Sequence, residues 1–232
     1  MTKTIQDKEL GTIVFSKNAR AKRMIIKLKA GCIAVTLPCH STYSEAMKFV
    51  QSKREWITAN QMKVAQKRTL INNDTQMLTF RVQTTPAERT NYHINLQNNI
   101  LSIHYPQDIM PESEAAQEVF RRAVESALRY EAKRLLPPML KDLAAQHKLP
   151  YNNVKINSGK TRWGSCSSRK TINLSYFLLT LPEHLIRYVL LHELCHTREM
   201  NHGADFWQLL NNVTGNCAQA LAKELKQYRI SF

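Results

Sequence analysis

The chain has 232 residues, 43% of them hydrophobic and 22% charged, with a formal net charge of +15. That length and apolar share suit a folded chain with a sizeable core and argue against a disordered or low-complexity protein. No stretch approaches the roughly 20 apolar residues of a membrane span, the first ten residues are too polar for a secretory signal, and five cysteines without a paired framework suit free thiols in a reducing cytoplasm.

Residues 11–16, 23–30 and 32–37 carry strand patterns, the last two joined at Gly31. Thr42-x-x-Glu45 makes a capping box, so a helix starts there and runs through Phe49, Val50, Trp56 and Ile57. A second strand group covers 77–82, 91–97 and 100–104, with Asn98-Asn99 as a hairpin turn. The connection from Pro106 to Pro111 is the best boundary, dividing a basic module over 1–108 from a second domain over 109–232. A long amphipathic helix follows over 112–147, interrupted or kinked near Pro137-Pro138. Strands at 154–157 and 171–174 come next, then helices at 182–199, 204–213 and 216–228. The fold class is therefore α+β: a basic strand-helix module, then a mainly helical domain with a small sheet.

The helix over 182–199 carries the chemistry. His192-Glu193-Leu194-Cys195-His196 places two imidazoles four residues apart on one helix face, where both reach one metal ion, with Glu193 beside the open coordination position. Ile186, Val189, Leu190 and Leu194 surround the motif at helical spacing, so it lies on a buried helix. The turn at Asn201-His202-Gly203 brings His202 back as a third ligand, and three ligands plus water is the open, catalytic zinc arrangement. Glu199 is the rival third ligand, and the plainer reading is a core helix whose histidines only hydrogen-bond. In the catalytic reading Glu193 is the general base.

Arg162-Trp163-Gly164-Ser165-Cys166 lies some 25 residues earlier, between two strands, and is the candidate cleft wall, aligning an extended substrate by strand addition. Arg162 either holds a substrate anion or oxyanion or pairs with a local carboxylate, and Trp163 either contacts substrate or packs in the core. Cys166 is a ligand only in a closed site, and Cys195 is a small buried side chain. Phe206, Trp207 and Leu210 have the spacing of a helix packed beneath the site.

The Arg162 to Cys166 stretch, the run from Tyr188 to His196, Asn201-His202 and Phe206-Trp207 together resemble the YgjP-like metallopeptidase family, and the likeness extends to the basic segment 20–29 and the helix ending near Trp56-Ile57. The resemblance implies a zincin-type zinc site related in architecture to the SprT and WLM proteases. It assigns His192, His196 and His202 as ligands, Glu193 as catalyst, and a peptide or protein as substrate. Gly203 stands where that family often has Ser, and Ser175 where Asn is common. The spacing also matches metzincins, but Glu199 replaces their turn Gly and no Met follows His202.

Charge is distributed unevenly. Residues 1–70 hold 14 Lys or Arg against four acids, a net of +10, and six basic residues without an acid fall between Phe15 and Lys29. That strip suits phosphate tracking, hence a nucleic-acid-associated protease acting on DNA-bound protein, or else a solvated basic face. A separate alternative is a metal-dependent nucleotide pyrophosphatase using Lys160, Arg162, Arg169 and Lys170 on phosphates, although such enzymes usually hold magnesium through carboxylates. A metal-stabilised binding module would have no need of Glu193.

Overall fold

The computed structural model describes residues 2–29, 32–66 and 70–230. The chain divides into two compact units, Met1–Thr69 and Leu70–Phe232. Among the described residues no helix is long and apolar enough to cross a membrane.

The first unit is a four-stranded sheet with two helices. Strands β1 (Thr2–Asp7), β2 (Gly11–Lys17), β3 (Ile25–Lys29) and β4 (Cys32–Leu37) lie in the order β1-β2-β4-β3, with β2 and β4 parallel. Alternate residues Ile13, Phe15, Ile33, Val35 and Leu37 are fully buried, as a one-sided sheet requires. They pack with Ala46 and Val50 of α1 (Tyr43–Ser52) and Ile57 of α2 (Arg54–Gln66). The capping box forms at Thr42 and Glu45. The single expected helix breaks at Lys53, and the Gly31 junction lies outside the described residues.

Strand β1 is absent from the sequence reading because only Ile5 of its six residues is strongly apolar. Its turn is held by Asp7, whose carboxylate accepts the Leu10 and Glu9 amides and pairs with Arg54 at 2.9 Å. Those contacts hold the Asp7 carboxyl below its ordinary pKa, the Leu10 amide first among them.

The second unit has a larger core. Strands β5 (Arg81–Ala87), β6 (His93–Gln97) and β7 (Ile100–Pro106) form a sheet of order β5-β7-β6. Asn98 and Asn99 make the expected tight turn, both with positive φ. This sheet packs on α3 (Glu114–Gln146): Val82, Leu101, Ile103, Phe120 and Val124 belong to one buried cluster. The expected boundary at 108/109 therefore cuts through a core, and the division falls at 69/70 instead. Gln117 shows the reason. Buried on α3, it accepts the Ile71 amide at 2.9 Å and donates to the carbonyls of Ile71 and Pro111 at 3.0 and 2.9 Å, binding the start of the unit to its central helix.

Helix α3 continues as one helix through Pro137 and Pro138, so of the expected interruption or kink the interruption does not occur. The amides those prolines lack would have bonded the carbonyls of Lys133 and Arg134, both exposed residues that water can satisfy. A second sheet of β8 (Asn153–Asn157), β9 (Gly164–Cys166) and β10 (Thr171–Ser175), in the order β8-β10-β9, leads through a 3-10 turn into α4 (Glu183–Cys195), α5 (Ala204–Val213) and α6 (Ala218–Leu225). The α+β class holds, with three small sheets and one long helix.

Replacing Gln117 with Leu should leave the two buried Ile71 backbone groups and the half-buried Pro111 carbonyl without their side-chain partner and destabilise the larger unit by about 3 kcal/mol, measured as a lower urea midpoint at unchanged m. An unchanged midpoint would show that this stitch does not hold the unit together.

Candidate metal centre

Helix α4 starts after Pro182, buries Ile186, Val189, Leu190 and Leu194, and ends where His196 caps it. The chain then turns through Thr197 to Glu199 and returns, so that His202 meets the helix it left. Ring-nitrogen ligand atoms of His192, His196 and His202 all lie within 4.8 Å of one another. His192 Nε2 is 3.2 Å from His196 Nε2 and 3.2 Å from His202 Nε2. Tetrahedral zinc with bonds of about 2.0–2.1 Å to imidazole separates its nitrogens by about 3.3 Å, so the donor set and the two distances from His192 fit zinc.

The tautomers agree. His196 Nδ1 lies 2.9 Å from the Glu199 carbonyl oxygen. Since a carbonyl only accepts, Nδ1 must donate, which leaves a lone pair on Nε2 facing the other two rings. Glu199 thus serves through its backbone, and the cluster does not include its carboxylate. Burial, followed by the charges of His196 and His202, pushes His192 down to about 4, and burial also lowers His196. Both imidazoles are held neutral, the state that a metal ligand needs.

Phe206 of α5 is fully buried, with its ring centroid 5.0, 4.6 and 4.7 Å from those of His192, His196 and His202. The helical spacing identified it as core, but that signal could not reveal that one ring touches all three imidazoles.

Glu193 is 5% exposed and its Oε2 has no hydrogen-bond partner. Burial pushes its carboxyl up to about 8, opposed by the positive charge of Arg162. The Arg162 to Cys166 stretch meets the metal helix here, since β9 lies against α4. A Cβ on Gly164 would fall 2.7 Å from Glu193 Cγ and 2.8 Å from Oε1, so any side chain at this position requires Glu193 to shift. Ser175 ties down the same segment, its amide donating to the Trp163 carbonyl at 2.9 Å and its hydroxyl to the Gly159 carbonyl at 2.7 Å.

Arg162 is exposed and makes no close salt bridge among the described residues, while its positive charge still acts on the Glu193 carboxyl. Trp163 is partly buried against the core and also lines a cavity bordered by His192 and Glu193. The thiol of Cys166 is raised by burial first and the charge of Glu193 second, and it stands outside the histidine cluster. Burial pushes Cys195 up to about 12, an inert side chain. Lys160 is engaged with Glu125 at 2.7 Å.

A family model described as YgjP-like, metallopeptidase domain, matches residues 22–228. No curated protein matches the chain. Solved structures similar to part of it include two metallopeptidase zymogens. Jannalysin of Methanocaldococcus jannaschii shares 24% identity over 39% of this chain and 93% of its own, with a TM-score of 0.35. Abylysin of Pyrococcus abyssi shares 23% identity over 40% and 94%, with a TM-score of 0.36. At those TM-scores neither bears on the fold or chemistry here.

Gly164→Ala should keep the fold at a cost of about 1–3 kcal/mol and leave metal uptake by the histidines near wild type, because the closest clashes fall on the Glu193 side chain. Any reaction that depends on Glu193 should slow about 100-fold. Metal stoichiometry measured beside turnover checks this, and joint loss of both would place the clash elsewhere.

Proposed function

The chain belongs to the YgjP-like metallopeptidase family, and from that premise we propose that it is a zinc-dependent peptidase, with His192, His196 and His202 as ligands and Glu193 as general base. The observation that carries this reading is the triangle of imidazole nitrogens beside a buried carboxylate with one unpartnered oxygen. In this reading the unit Leu70–Phe232 is the catalytic one.

Zinc held there would supply Lewis acidity toward water and a peptide carbonyl. Glu193 accepts the proton of the attacking water at Oε2 and returns it to the leaving amine nitrogen. Arg162 counteracts the burial of Glu193 and favours its charged form. Its exposed guanidinium is also available to a substrate anion or oxyanion. Strand β9 is at the edge of its sheet, where an extended peptide can add as a further strand, with Trp163 beside it. The nucleotide reading loses support because Lys160 is already paired with Glu125 and the only metal cluster among the described residues is imidazole.

Elemental analysis beside hydrolysis of an unfolded protein tests this. Wild type should hold about one zinc per chain. His202→Ala should lose metal and turnover together. Glu193→Gln should keep the metal and lose at least about 100-fold in turnover; an active Glu193→Gln enzyme would sink the mechanism.

We further infer that the smaller unit binds polyanions and so brings the peptidase to protein on nucleic acid. Three of its four acids are engaged: Asp7 and Glu9 pair with Arg54, and Glu45 closes the capping box. Among the described residues, Lys17, Arg20, Lys22, Arg23 and Lys27 make no ion pair; the salt bridges of this unit are those of Arg54. If each meets a phosphate, duplex DNA affinity should fall by about two to three orders of magnitude between 50 and 200 mM salt, read by filter binding. No binding at 50 mM would end this reading.

A further inference from the structure

A cavity of about 360 Å³ opens beside Glu193. His192 and Glu193 form one end, and Trp163, Tyr188, Val189, Ala222, Leu225 and Tyr228 form most of the rest. Ala222 and Leu225 are three apart on α6 and so share one face. Tyr228, 36% exposed, and the exposed Lys226 stand on the segment that closes the helix, where the cavity meets solvent.

We propose that this cavity is the specificity pocket for a large aliphatic or aromatic side chain on the substrate residue adjoining the scissile bond. The proposal rests on the peptidase reading and adds the class of sequence that the site selects. Its volume is at the lower end for small-ligand sites, enough for one amino-acid side chain and far from enough for a folded element. The walls are apolar, so an aliphatic or aromatic group gains by leaving water there. A basic side chain would find Glu193 as its only acid, and that carboxylate is committed to the reacting water. An acidic side chain would find Lys226, but only beside aromatic walls that cannot satisfy its oxygens. Adjacency to Glu193 places whatever enters within one residue of the bond that is cut.

The test uses the full-length, zinc-loaded protein and peptides that differ at a single residue beside the cleaved bond: Leu, Phe, Ala, Lys or Glu. Wild type should favour Leu and Phe over Ala by about 10- to 100-fold in kcat/KM, with Lys and Glu no better than Ala. Ala222→Phe fills the pocket, and within that variant the Leu-to-Ala ratio should fall at least tenfold. Should that variant misfold, Tyr228→Ala opens the pocket at an exposed position and should lower the Phe-to-Ala ratio. Preference for Glu or Lys, or a Leu-to-Ala ratio indifferent to Ala222→Phe in an enzyme that does cleave, overturns the pocket and leaves the peptidase reading intact. If no peptide is cleaved, the peptidase reading fails. Binding of the same peptides to Glu193→Gln, followed by Trp fluorescence, then decides the pocket: tighter binding of Leu and Phe peptides that Ala222→Phe abolishes supports it, and equal binding overturns it.

Discussion

Glu193 sits between α4 and β9 with one carboxylate oxygen unpartnered and the backbone of Gly164 pressed against its side chain. Burying such a group is unfavourable unless something charged or polar is brought to it, and the larger unit supplies that in two ways. Arg162 contributes a positive charge from the loop before β9, and three imidazoles supply a position for a cation beside it. The close approach also explains why the two distinctive stretches of this chain belong together. Gly164 permits the strand to lie on the helix, and Ser175 holds that strand by the Trp163 carbonyl.

The histidines are placed with the same economy of parts. Helix α4 delivers His192 and Glu193 inside its last turn and stops at His196, which is free to use its Nδ1 on the Glu199 carbonyl because the chain has already turned there. Phe206 supports all three rings from below. Packing of one buried aromatic ring against all three imidazoles ties their placement to the core at this point in the fold.

The two units differ in charge and in what their cores carry. The smaller has a modest one-sided core and spends most of its few acids on internal structure, which leaves its positive charge directed at solvent. The larger buries the cluster from which the candidate site projects, and an apolar cavity opens in it beside Glu193. The basic surface and the apolar cavity thus belong to different units.

Local signals were legible in the sequence wherever the physics is local. The capping box at Thr42, the Asn98-Asn99 turn, the limits of α5 and the metal-binding pattern of α4 all depend on residues within a few positions of each other. Polar β1 was hidden because its strand state comes from pairing with β2, and β9 because three residues carry no periodicity. The boundary near Pro106 to Pro111 looked convincing since prolines and a strand end coincide there, yet Gln117 and the α3 core join both sides. Sequence by itself determined the three histidines, Glu193 and the α+β class, because helical spacing and hydrophobic pattern need no distant partner. Only the tertiary structure decided that Gly164 lies against the Glu193 side chain, that Glu199 acts through its carbonyl, that Phe206 packs against the imidazoles, and that a pocket opens at Glu193, because each of these depends on segments distant in sequence meeting at van der Waals range.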